Sequence, residues 1–285
     1  MTVVTGASGK LGNAVAKHLL DKVPSADLVA ASRDPETLEE LADRGVAVRR
    51  CDFSDSDTLG AAFAGANEVL IISVDKLGEE ARDLHRQAIR ACAHARVGRI
   101  FYTSHAGAAP DSPFAPASQH YATEGDLAAA GPQYTALRHG FYAESCMMMI
   151  GEDLKAGTLR VPEDGPVAWT AREDLAEGAA ALLSGSRTFD GATPPLTAAH
   201  AVTMADIAEF ASEITGRQIR HETISDEEWK AARIAAGVPE LYAEMLLGTF
   251  RAARQGDFAA TDPLLGELLG RQPTSMRDFL RGAPT

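Results

Sequence analysis

The sequence has few cysteines, no long uninterrupted apolar run and no cluster of metal-ligating residues. Its three cysteines, Cys51, Cys92 and Cys146, are widely spaced and form no CxxC pair, so neither a disulfide framework nor a thiolate metal site is expected. No spacing of histidines and carboxylates indicates another kind of metal site. Because no segment approaches the roughly 18 consecutive apolar residues of a membrane span, the sequence predicts no membrane partner.

Positive charge is also scarce: 27 Lys and Arg residues stand against 40 Asp and Glu residues, which gives a formal net charge of −13. Proteins that bind nucleic acids neutralise phosphates with Lys and Arg, so the acidic balance argues against a nucleic-acid partner. A strand pattern begins at Thr2 and leaves no space for a secretory leader. We therefore expect a cytoplasmic location.

The composition is that of a globular chain, with 45% hydrophobic and 24% charged residues. In the first half, short apolar runs alternate with amphipathic stretches of helix length, which is typical of parallel strands joined by crossover helices. The predicted strands cover residues 2–5, 27–32, 46–50, 68–72, 99–103 and 134–138. The predicted helices between them cover residues 10–22, 35–44, 56–64, 79–95 and 118–130. We predict an α/β fold with a Rossmann-type, doubly wound parallel sheet.

The regular alternation fades beyond about residue 140. Predicted helices there cover residues 172–183, 204–215, 226–236 and 239–254, with short strands between them. This change predicts two parts, a sheet domain over residues 1–140 and a smaller, mainly helical lobe over residues 141–285.

The strongest local motif follows the first strand. Residues 4–12 read VTGASGKLG, a strand that enters a GxxGxxG turn and then a helix. Glycines allow a tight turn and a close approach of phosphate oxygens to backbone amides, and the positive end of the helix favours a pyrophosphate. Its place at the end of the first strand of a repeated βα series predicts a dinucleotide site, the alternative being an ordinary strand-to-helix turn.

The end of the second strand indicates which dinucleotide binds. An NAD-preferring site carries a carboxylate there for the ribose hydroxyls, but this sequence has Ser32 and Arg33. The planar fork of Arg33 can bind a 2′-phosphate, with Ser32 and Lys10 as further donors, which favours NADP(H). Asp34 follows directly and can take the NAD role if the turn is rotated by one residue, and Arg33 is then an exposed loop residue.

Polar side chains also end the later strands, where ligands bind in an open parallel sheet. Asp52 is a candidate to bond the adenine amino group, with Phe53 against the ring, although Asp52 can instead cap the following turn. Ser73, Ser104 and His105 end the fourth and fifth strands and are expected to face the nicotinamide. Ser104 and His105 are therefore the best polar candidates from spacing, and the glycine- and proline-rich loop after them is expected to border the site.

These features together resemble the NmrA-like branch of the atypical short-chain dehydrogenases/reductases, and within it the bacterial type 2 NAD(P)H quinone oxidoreductases. The resemblance extends over essentially the whole chain. The segments that carry it are TGASGKLG at residues 5–12, Arg33, Asp52-Phe53, Tyr102-Thr103-Ser104, LRHGFYAE at residues 137–144 and TAREDLA at residues 170–176. The LRxGFYxE pattern is more specific than the glycine motif.

The resemblance implies a hydride transfer from NADPH to a quinone or a similar conjugated carbonyl. It implies an NADP-binding Rossmann domain over residues 1–140, a segment near residues 160–185 that returns to it, and a substrate-side lobe over residues 141–285. Phe141 and Tyr142 would form the wall of the acceptor pocket. The residues implied to line the cofactor phosphates are Gly6, Ser8, Gly9, Lys10, Leu11 and Gly12.

The sequence departs from the family at the expected proton donor. Short-chain reductases pair a Tyr with a Lys four residues later, which lowers the pKa of the phenol so that it acts as a general acid. Here Gly125 stands four residues after Tyr121, where a Lys usually occurs in an HxxTEK pattern. Tyr121 thus joins Ser104 and His105 as a candidate catalytic residue, with help from His120, or it is simply a helix residue.

The missing Lys leaves two functions open. Quinone reduction tolerates its loss, because a quinone becomes a stabilised phenolate and hydride transfer can depend on orientation and proximity. We therefore expect an NADPH-dependent reductase without metal or flavin. The alternative is a non-catalytic NADP(H) sensor that acts through a protein partner. A homodimer is compatible with either function.

Overall fold

The computed structural model describes residues 1–282, and it contains nine strands. The strands are β1 (Thr2–Val4), β2 (Leu28–Ser32), β3 (Ala47–Arg50), β4 (Glu68–Ile71), β5 (Arg99–His105), β6 (Gln133–His139), β7 (Thr158–Pro162), β8 (Gly191–Ala192) and β9 (Arg220–Ile224). Seven of them form one parallel sheet in the order β3-β2-β1-β4-β5-β6-β8. The order reverses between β1 and β4, the position where doubly wound sheets bind their ligands.

Helices cover both faces of this sheet and build most of the second half of the chain. They are α1 (Lys10–Leu20), α2 (Glu39–Asp43), α3 (Ser56–Phe63), α4 (Gly78–His94), α5 (Ala115–Ala129), α6 (Ala143–Ala156), α7 (Arg172–Leu183), α8 (Met204–Thr215), α9 (Asp226–Ala235), α10 (Glu240–Arg254), α11 (Leu264–Leu269) and α12 (Met276–Gly282). Helix α7 packs against α1 on one face. Helices α3, α4 and α5 cover the other face.

The predicted fold class is confirmed, and the differences lie at the ends of elements. Strand β5 continues to His105, two residues past its predicted end. The predicted helix over residues 35–44 is a 3₁₀ turn, Pro35–Leu38, followed by the short α2. Strand β8 was not predicted, because two residues are too few to give an alternating pattern.

The second half of the chain contributes to both parts of the molecule. Strands β7 and β9 form a separate parallel pair, and the helices around them bury an apolar cluster that includes Trp229 and Phe250. Strand β8 instead joins β6 in the large sheet, so the returning chain extends beyond residue 185. A domain boundary at residue 140 stays a prediction. Within residues 1–282, no helix is long and apolar enough to span a membrane.

The loop between β5 and α5 is held by the second half of the chain. A Cβ at Gly107 would lie 2.6 Å from the ring of Phe258, and one at Gly248 of α10 would lie 2.5 Å from the carbonyl oxygen of Pro113. Ser112 Oγ also lies 2.8 Å from Asp257 Oδ2. The loop predicted to border the site is therefore packed against α10 and the turn that follows it.

Candidate active site

The glycine turn after β1 forms an anion-sized cradle at the start of α1. Gly6 has a φ of +59°, and its carbonyl accepts a hydrogen bond from the Gly9 N–H at 2.9 Å. A Cβ at Gly12 would lie only 2.4 Å from the Gly6 oxygen, so only glycine allows this close packing of turn and helix. Helix α1 has no side-chain cap and no acidic residue in its first turn. Its first amides and its positive end are available to a phosphate.

The end of β2 places polar and cationic side chains beside this turn. Ser32 Oγ donates to Ser8 Oγ at 2.8 Å, which fixes the two hydroxyls next to each other. Arg33 and Lys10 are exposed and make no ion pair within residues 1–282. Arg50, which pairs with Ser32 in the sheet register, is likewise exposed and without an ion pair among the described residues. The sequence reasoning missed Arg50, because nothing in the chain order indicates that two arginines from neighbouring strand ends lie together.

Asp52 has a structural role that the sequence had left as an alternative. Its Oδ1 accepts hydrogen bonds from the N–H and the hydroxyl of Ser54, at 2.9 and 2.7 Å. These bonds, with a smaller contribution from Arg33 and Arg50, lower the pKa of Asp52. Phe53 is only 8% exposed and packs in the core formed with α3 and α4. An adenine contact by Asp52 or Phe53 stays a prediction. Oδ2 of Asp52 makes no bond to Ser54, and a small part of Phe53 is exposed.

A hydrogen-bonded threonine fixes the end of β4 beside β5. Thr103 Oγ1 accepts from the Ser73 N–H at 2.8 Å and donates to Ser73 Oγ at 3.1 Å. Since the Thr103 hydrogen is used in this way, the Ser73 hydroxyl keeps its own hydrogen for another acceptor. Thr5 makes the matching link between β1 and β4, donating to the Leu70 carbonyl and accepting from the Ile72 N–H, both at 3.0 Å.

Ser104 points to the opposite face of the sheet. Its hydroxyl donates to Glu124 Oε1 at 2.6 Å, and the same carboxylate accepts two bonds from Arg138, at 3.0 and 2.7 Å. Ser104 is 4% exposed and Glu124 8% exposed. Successive side chains in a strand alternate between faces, so Ser104 lies with α5 while Thr103 and His105 lie on the other side. Ser104 therefore bonds to α5, and the expectations that it faces the nicotinamide and takes part in catalysis stay predictions.

His105 is the centre of an aromatic cluster, defined here as His105, Phe114, Phe141 and Phe258. The ring centroids of the three phenylalanines lie 5.7, 5.3 and 5.3 Å from that of His105. Nδ1 of His105 accepts a hydrogen bond from the Gly107 N–H at 3.0 Å. Burial lowers the pKa of His105 to about 4, so the ring is neutral at pH 7 and carries its hydrogen on Nε2.

His120 lies next to His105 at the start of α5. Its Nδ1 is 2.7 Å from the hydroxyl of Tyr102, which is fully buried. The two imidazole rings are nearly parallel, with centroids 6.2 Å apart and 22° between their planes. Burial, with smaller repulsion from neighbouring histidines, lowers the pKa of His120 well below its usual value. His120 is therefore a second neutral imidazole at the same strand end.

Tyr121 does not share this environment. Its side chain is 47% exposed on α5, and a Cβ at Gly125 would meet no atom within 4 Å. The position where the family has a Lys is thus open to solvent. This placement favours the alternative reading of Tyr121, a helix residue at the surface, and its catalytic role stays a prediction.

Phe141 and Tyr142 separate, although they are neighbours in the chain. Phe141 joins the aromatic cluster and contacts Trp169 at a centroid distance of 5.0 Å. Tyr142 lies under the Arg172 guanidinium, which is 5.0 Å from its ring centroid, and packs with the core between α1 and the sheet. Only Phe141 therefore lies against His105, and the acceptor wall of Phe141 and Tyr142 stays a prediction.

The residues of the LRHGFYAE segment mainly make structural contacts with neighbouring elements. Arg138 binds Glu124 of α5, and a Cβ at Gly140 would lie 2.3 Å from Thr170 Oγ1. Glu144 accepts the Arg172 N–H with both carboxylate oxygens at 3.2 Å, at the start of α7. The segment thus fixes β6 to helices from both halves of the chain, and this arrangement holds Phe141 in place.

The methionine run of α6 lies elsewhere. Met147 and Met148 line a groove of about 830 Å³ with residues of α8 and α12, including Ile214 and Phe279. No residue of the aromatic cluster lines this groove. Met147 and Met148 thus line a groove away from the aromatic cluster, whereas Met149 packs in the same core as Phe114 and Phe258.

Comparison with known proteins gives a consistent result along the whole chain. The model of the NmrA-like family matches residues 1–278. Quinone oxidoreductase 2 of Escherichia coli (strain K12) is 32% identical over 281 residues, 98% of this chain and 96% of that protein. The NAD(P)H azoreductase of Xenophilus azovorans is 26% identical over 283 residues, 99% of this chain and 97% of that protein.

Two solved structures share the fold nearly completely. The NADPH-dependent quinone oxidoreductase QOR2 from Escherichia coli, complexed with NADPH, has a TM-score of 0.92 and 31% identity over 98% of both chains. The triphenylmethane reductase of Citrobacter sp., complexed with NADP(H), has a TM-score of 0.91 and 31% identity over the full length of both chains.

Proposed function

The chain belongs to the NmrA-like family, and we propose that it is an NADPH-dependent oxidoreductase that reduces a quinone-like or related conjugated carbonyl acceptor. Relatives that align along nearly the whole chain are a quinone oxidoreductase, an azoreductase and a triphenylmethane reductase. The observation that carries the proposal is the match over 98% of both chains to a quinone oxidoreductase that holds NADPH. These relatives favour an enzyme over the sensor.

The residues around the glycine turn fit NADP(H). Backbone amides from Gly6 to Gly12, at the uncapped start of α1, would bind the pyrophosphate. The unpaired guanidinium of Arg33 would bind the 2′-phosphate, with Arg50 as a second cation and Lys10 near the pyrophosphate. Ser8 and Ser32 are held together between these groups.

The residues around His105 fit a flat, uncharged acceptor. The reduced nicotinamide, when bound, supplies the hydride. The aromatic cluster offers apolar ring faces and keeps water away from the strand ends. His105, neutral and with its hydrogen on Nε2, is a hydrogen-bond donor to an acceptor oxygen rather than an acid. Ser73 keeps a free hydroxyl hydrogen on the same face of the sheet.

The absence of the family Lys at position 125 fits a quinone better than an isolated ketone. An alkoxide formed from a ketone needs a strong proton donor, whereas a phenolate formed from a quinone is stable by itself. The cation near Tyr121 is Arg138, which is already bound by Glu124, and no Lys stands at position 125. The site is thus built for hydride acceptors that need little acid catalysis.

The test is NADPH oxidation by the full chain with a panel of quinones, an azo dye and simple ketones. We expect turnover with the quinones and none with the ketones. NADPH binding without turnover by any acceptor would overturn the proposal and favour the sensor.

A homodimer and a cytoplasmic location stay predictions. Met148 on α6 and Leu241 and Tyr242 on α10 are large apolar side chains that are exposed, and such residues are common at protein interfaces. Sedimentation of the full chain would test the dimer.

A further inference from the structure

Two neighbouring imidazoles at the end of β5 have hydrogen positions that the surrounding bonds determine. Nδ1 of His105 accepts the Gly107 N–H, so the single ring hydrogen of the neutral form is on Nε2. Nε2 bonds to no residue among 1–282 and is not one of the fully buried polar atoms. The His105 N–H is therefore free to bind a ligand.

The hydrogen of His120 follows from its bond to Tyr102. Either the phenol donates to Nδ1, or Nδ1–H donates to the phenol oxygen. In the second case the phenol hydrogen, in a fully buried side chain, has no hydrogen-bonded acceptor among residues 1–282, which is unfavourable. The phenol therefore donates, and the His120 hydrogen is on Nε2. This atom, like its counterpart in His105, has no partner within residues 1–282 and is not fully buried.

Among residues 1–282, the one hydrogen bond of the Tyr102 hydroxyl is with His120 Nδ1, although Thr123 is close enough to act on the pKa of Tyr102, which burial raises. His85, whose ring centroid is 5.3 Å from that of Tyr102, offers no further acceptor. Its Nε2 accepts the Val74 N–H at 3.1 Å, and its Nδ1 lies 3.2 Å from Thr123 Oγ1. The Thr123 hydrogen goes to the Gln119 carbonyl at 3.0 Å, so the threonine oxygen is the acceptor and His85 Nδ1 is the donor. Both nitrogens of His85 are therefore used.

From these positions we propose that His105 and His120 form a pair of neutral N–H donors that binds the acceptor oxygen as it becomes anionic, with Tyr102 as the residue that positions His120. The two rings are neighbours, with centroids 6.2 Å apart, and no residue among 1–282 accepts a hydrogen bond from either Nε2. The inference rests on the proposed reductase function and names His120 and Tyr102 as further parts of its site.

The chemistry of this pair is oxyanion stabilisation. Hydride addition is a two-electron reduction that leaves one acceptor oxygen as an anion, and this oxygen takes a proton from water to give the neutral product. Both imidazoles remain neutral throughout, because burial opposes their protonation. Preorganised donors of this kind, inside a site that excludes water, stabilise charge that develops in a transition state.

The first experiment measures anion binding without turnover. The protein saturated with NADP⁺ is titrated with p-nitrophenol, whose phenolate absorbs at a different wavelength from the phenol. We expect a lower pKa of the bound phenol with the wild-type protein and with His120→Gln, whose amide N–H replaces Nε2–H. His120→Asn, which keeps only the donor near Nδ1, and His120→Phe should lose the shift. A bound phenol whose pKa is the same in wild type and His120→Phe overturns the proposal.

The second experiment measures the hydrogen positions and the reaction. Nitrogen-15 spectra of labelled histidines should show the Nε2–H form of His120 in the wild type and a mixture of forms in Tyr102→Phe. With a quinone, His120→Phe should lower kcat about 100-fold, the typical cost of losing one oxyanion-hole donor, with little change in KM. His94→Gln, at an exposed histidine of α4, is the control and should leave kcat unchanged.

Failure of this inference differs from failure of the proposed function. Quinone turnover that His120→Phe does not slow would overturn the donor pair and leave the reductase in place. No turnover by the wild type would overturn the reductase, while the phenol titration and the nitrogen spectra would still test the donor pair.

Discussion

The two parts of the candidate active site, the glycine turn and the surroundings of His105, are built in opposite ways. The glycine-turn end offers backbone amides and exposed, unpaired cations such as Arg33 and Arg50. The His105 end consists of partly buried, neutral imidazoles whose hydrogen atoms are fixed by bonds to their neighbours. In the proposed function, a fixed anion would bind at the exposed end, and the reacting group would meet oriented dipoles at the more apolar end.

The largest consequence of this contrast is a dependence of stability on pH. Burial lowers the pKa of His85 and His105 to about 4 and that of His139 to about 3. In the unfolded chain these imidazoles bind protons near pH 6.5, so the unfolded state holds more protons than the folded state below that pH. Each of these histidines therefore lowers the free energy of unfolding by up to about 1.4 kcal/mol per pH unit as the pH falls from 6.5 toward its pKa in the folded state.

Urea unfolding at pH 7, 6 and 5 measures this effect, and the variant His139→Leu isolates the contribution of one of the three histidines. Neither ring nitrogen of His139 has a partner within residues 1–282, so we expect the variant to be as stable as the wild type at pH 7 and more stable at pH 5. His94→Gln, which changes an exposed ring, should leave the slope unchanged. An unchanged slope in His139→Leu would show that this ring does not contribute.

The next effect tests whether Ser104 belongs to the framework or to the chemistry. Glu124→Gln removes the charge that binds Arg138 and Ser104 in a mostly buried site. Loss of one partner of such a pair costs about 3 kcal/mol in free energy of unfolding. The exposed pair of Lys17 and Glu40 is the control, and Glu40→Gln should cost less than about 1 kcal/mol. Denaturant unfolding measures both values.

The same variant tests whether the two parts of the candidate site are independent of each other. Because Glu124 and Ser104 lie on the α5 side of the sheet, away from the glycine turn, the Kd for NADPH should be unchanged in the folded Glu124→Gln protein. A large rise in this Kd would contradict the separation.

A smaller effect is expected at the glycine-turn end. Arg33→Ala should raise the Kd for NADPH by about 10- to 100-fold, since a charge-assisted bond contributes about 1.5–3 kcal/mol, and should not change that for NADH. Arg50→Ala should raise the Kd for NADPH by a smaller factor, because Arg50 lies at the end of β3, one strand further from β1 than Arg33. Fluorescence titration of both nucleotides measures these constants. Equal losses for NADPH and NADH would argue against a 2′-phosphate contact.

The contrast also explains how far the sequence predicts the site. The glycine turn and Arg33 follow from local patterns, because backbone shape and the residue after a strand are encoded within a few positions. The fifth strand was predicted to end at residue 103, so the side-chain alternation that sets the direction of Ser104 was not predicted, whereas the strand continues to His105. Because the strand is two residues longer than predicted, Ser104 is part of it and its side chain lies on the α5 side of the sheet.

Contacts between distant parts of the chain were beyond prediction. Phe258 reaches His105 from a turn about 150 residues later in the chain, and Glu124 meets Arg138 across an α5–β6 packing that no local pattern encodes. The family motifs include Arg138 and Glu124, but they do not indicate that the two residues form an ion pair. Tertiary packing alone decides which buried groups share a site.

The smallest expected effect concerns Gly125. A Lys there meets no atom within 4 Å of its Cβ, and replacing glycine inside an exposed helix stabilises it by up to about 1 kcal/mol. Tyr121, one turn before, is 47% exposed and lies outside the aromatic cluster. If the acceptor site is centred on His105, Gly125→Lys should change kcat for a quinone by no more than about twofold, as for other surface substitutions. A kcat at least tenfold higher, or new activity with simple ketones, would instead place the acceptor against Tyr121, because an added ammonium can activate only a phenol that contacts the substrate.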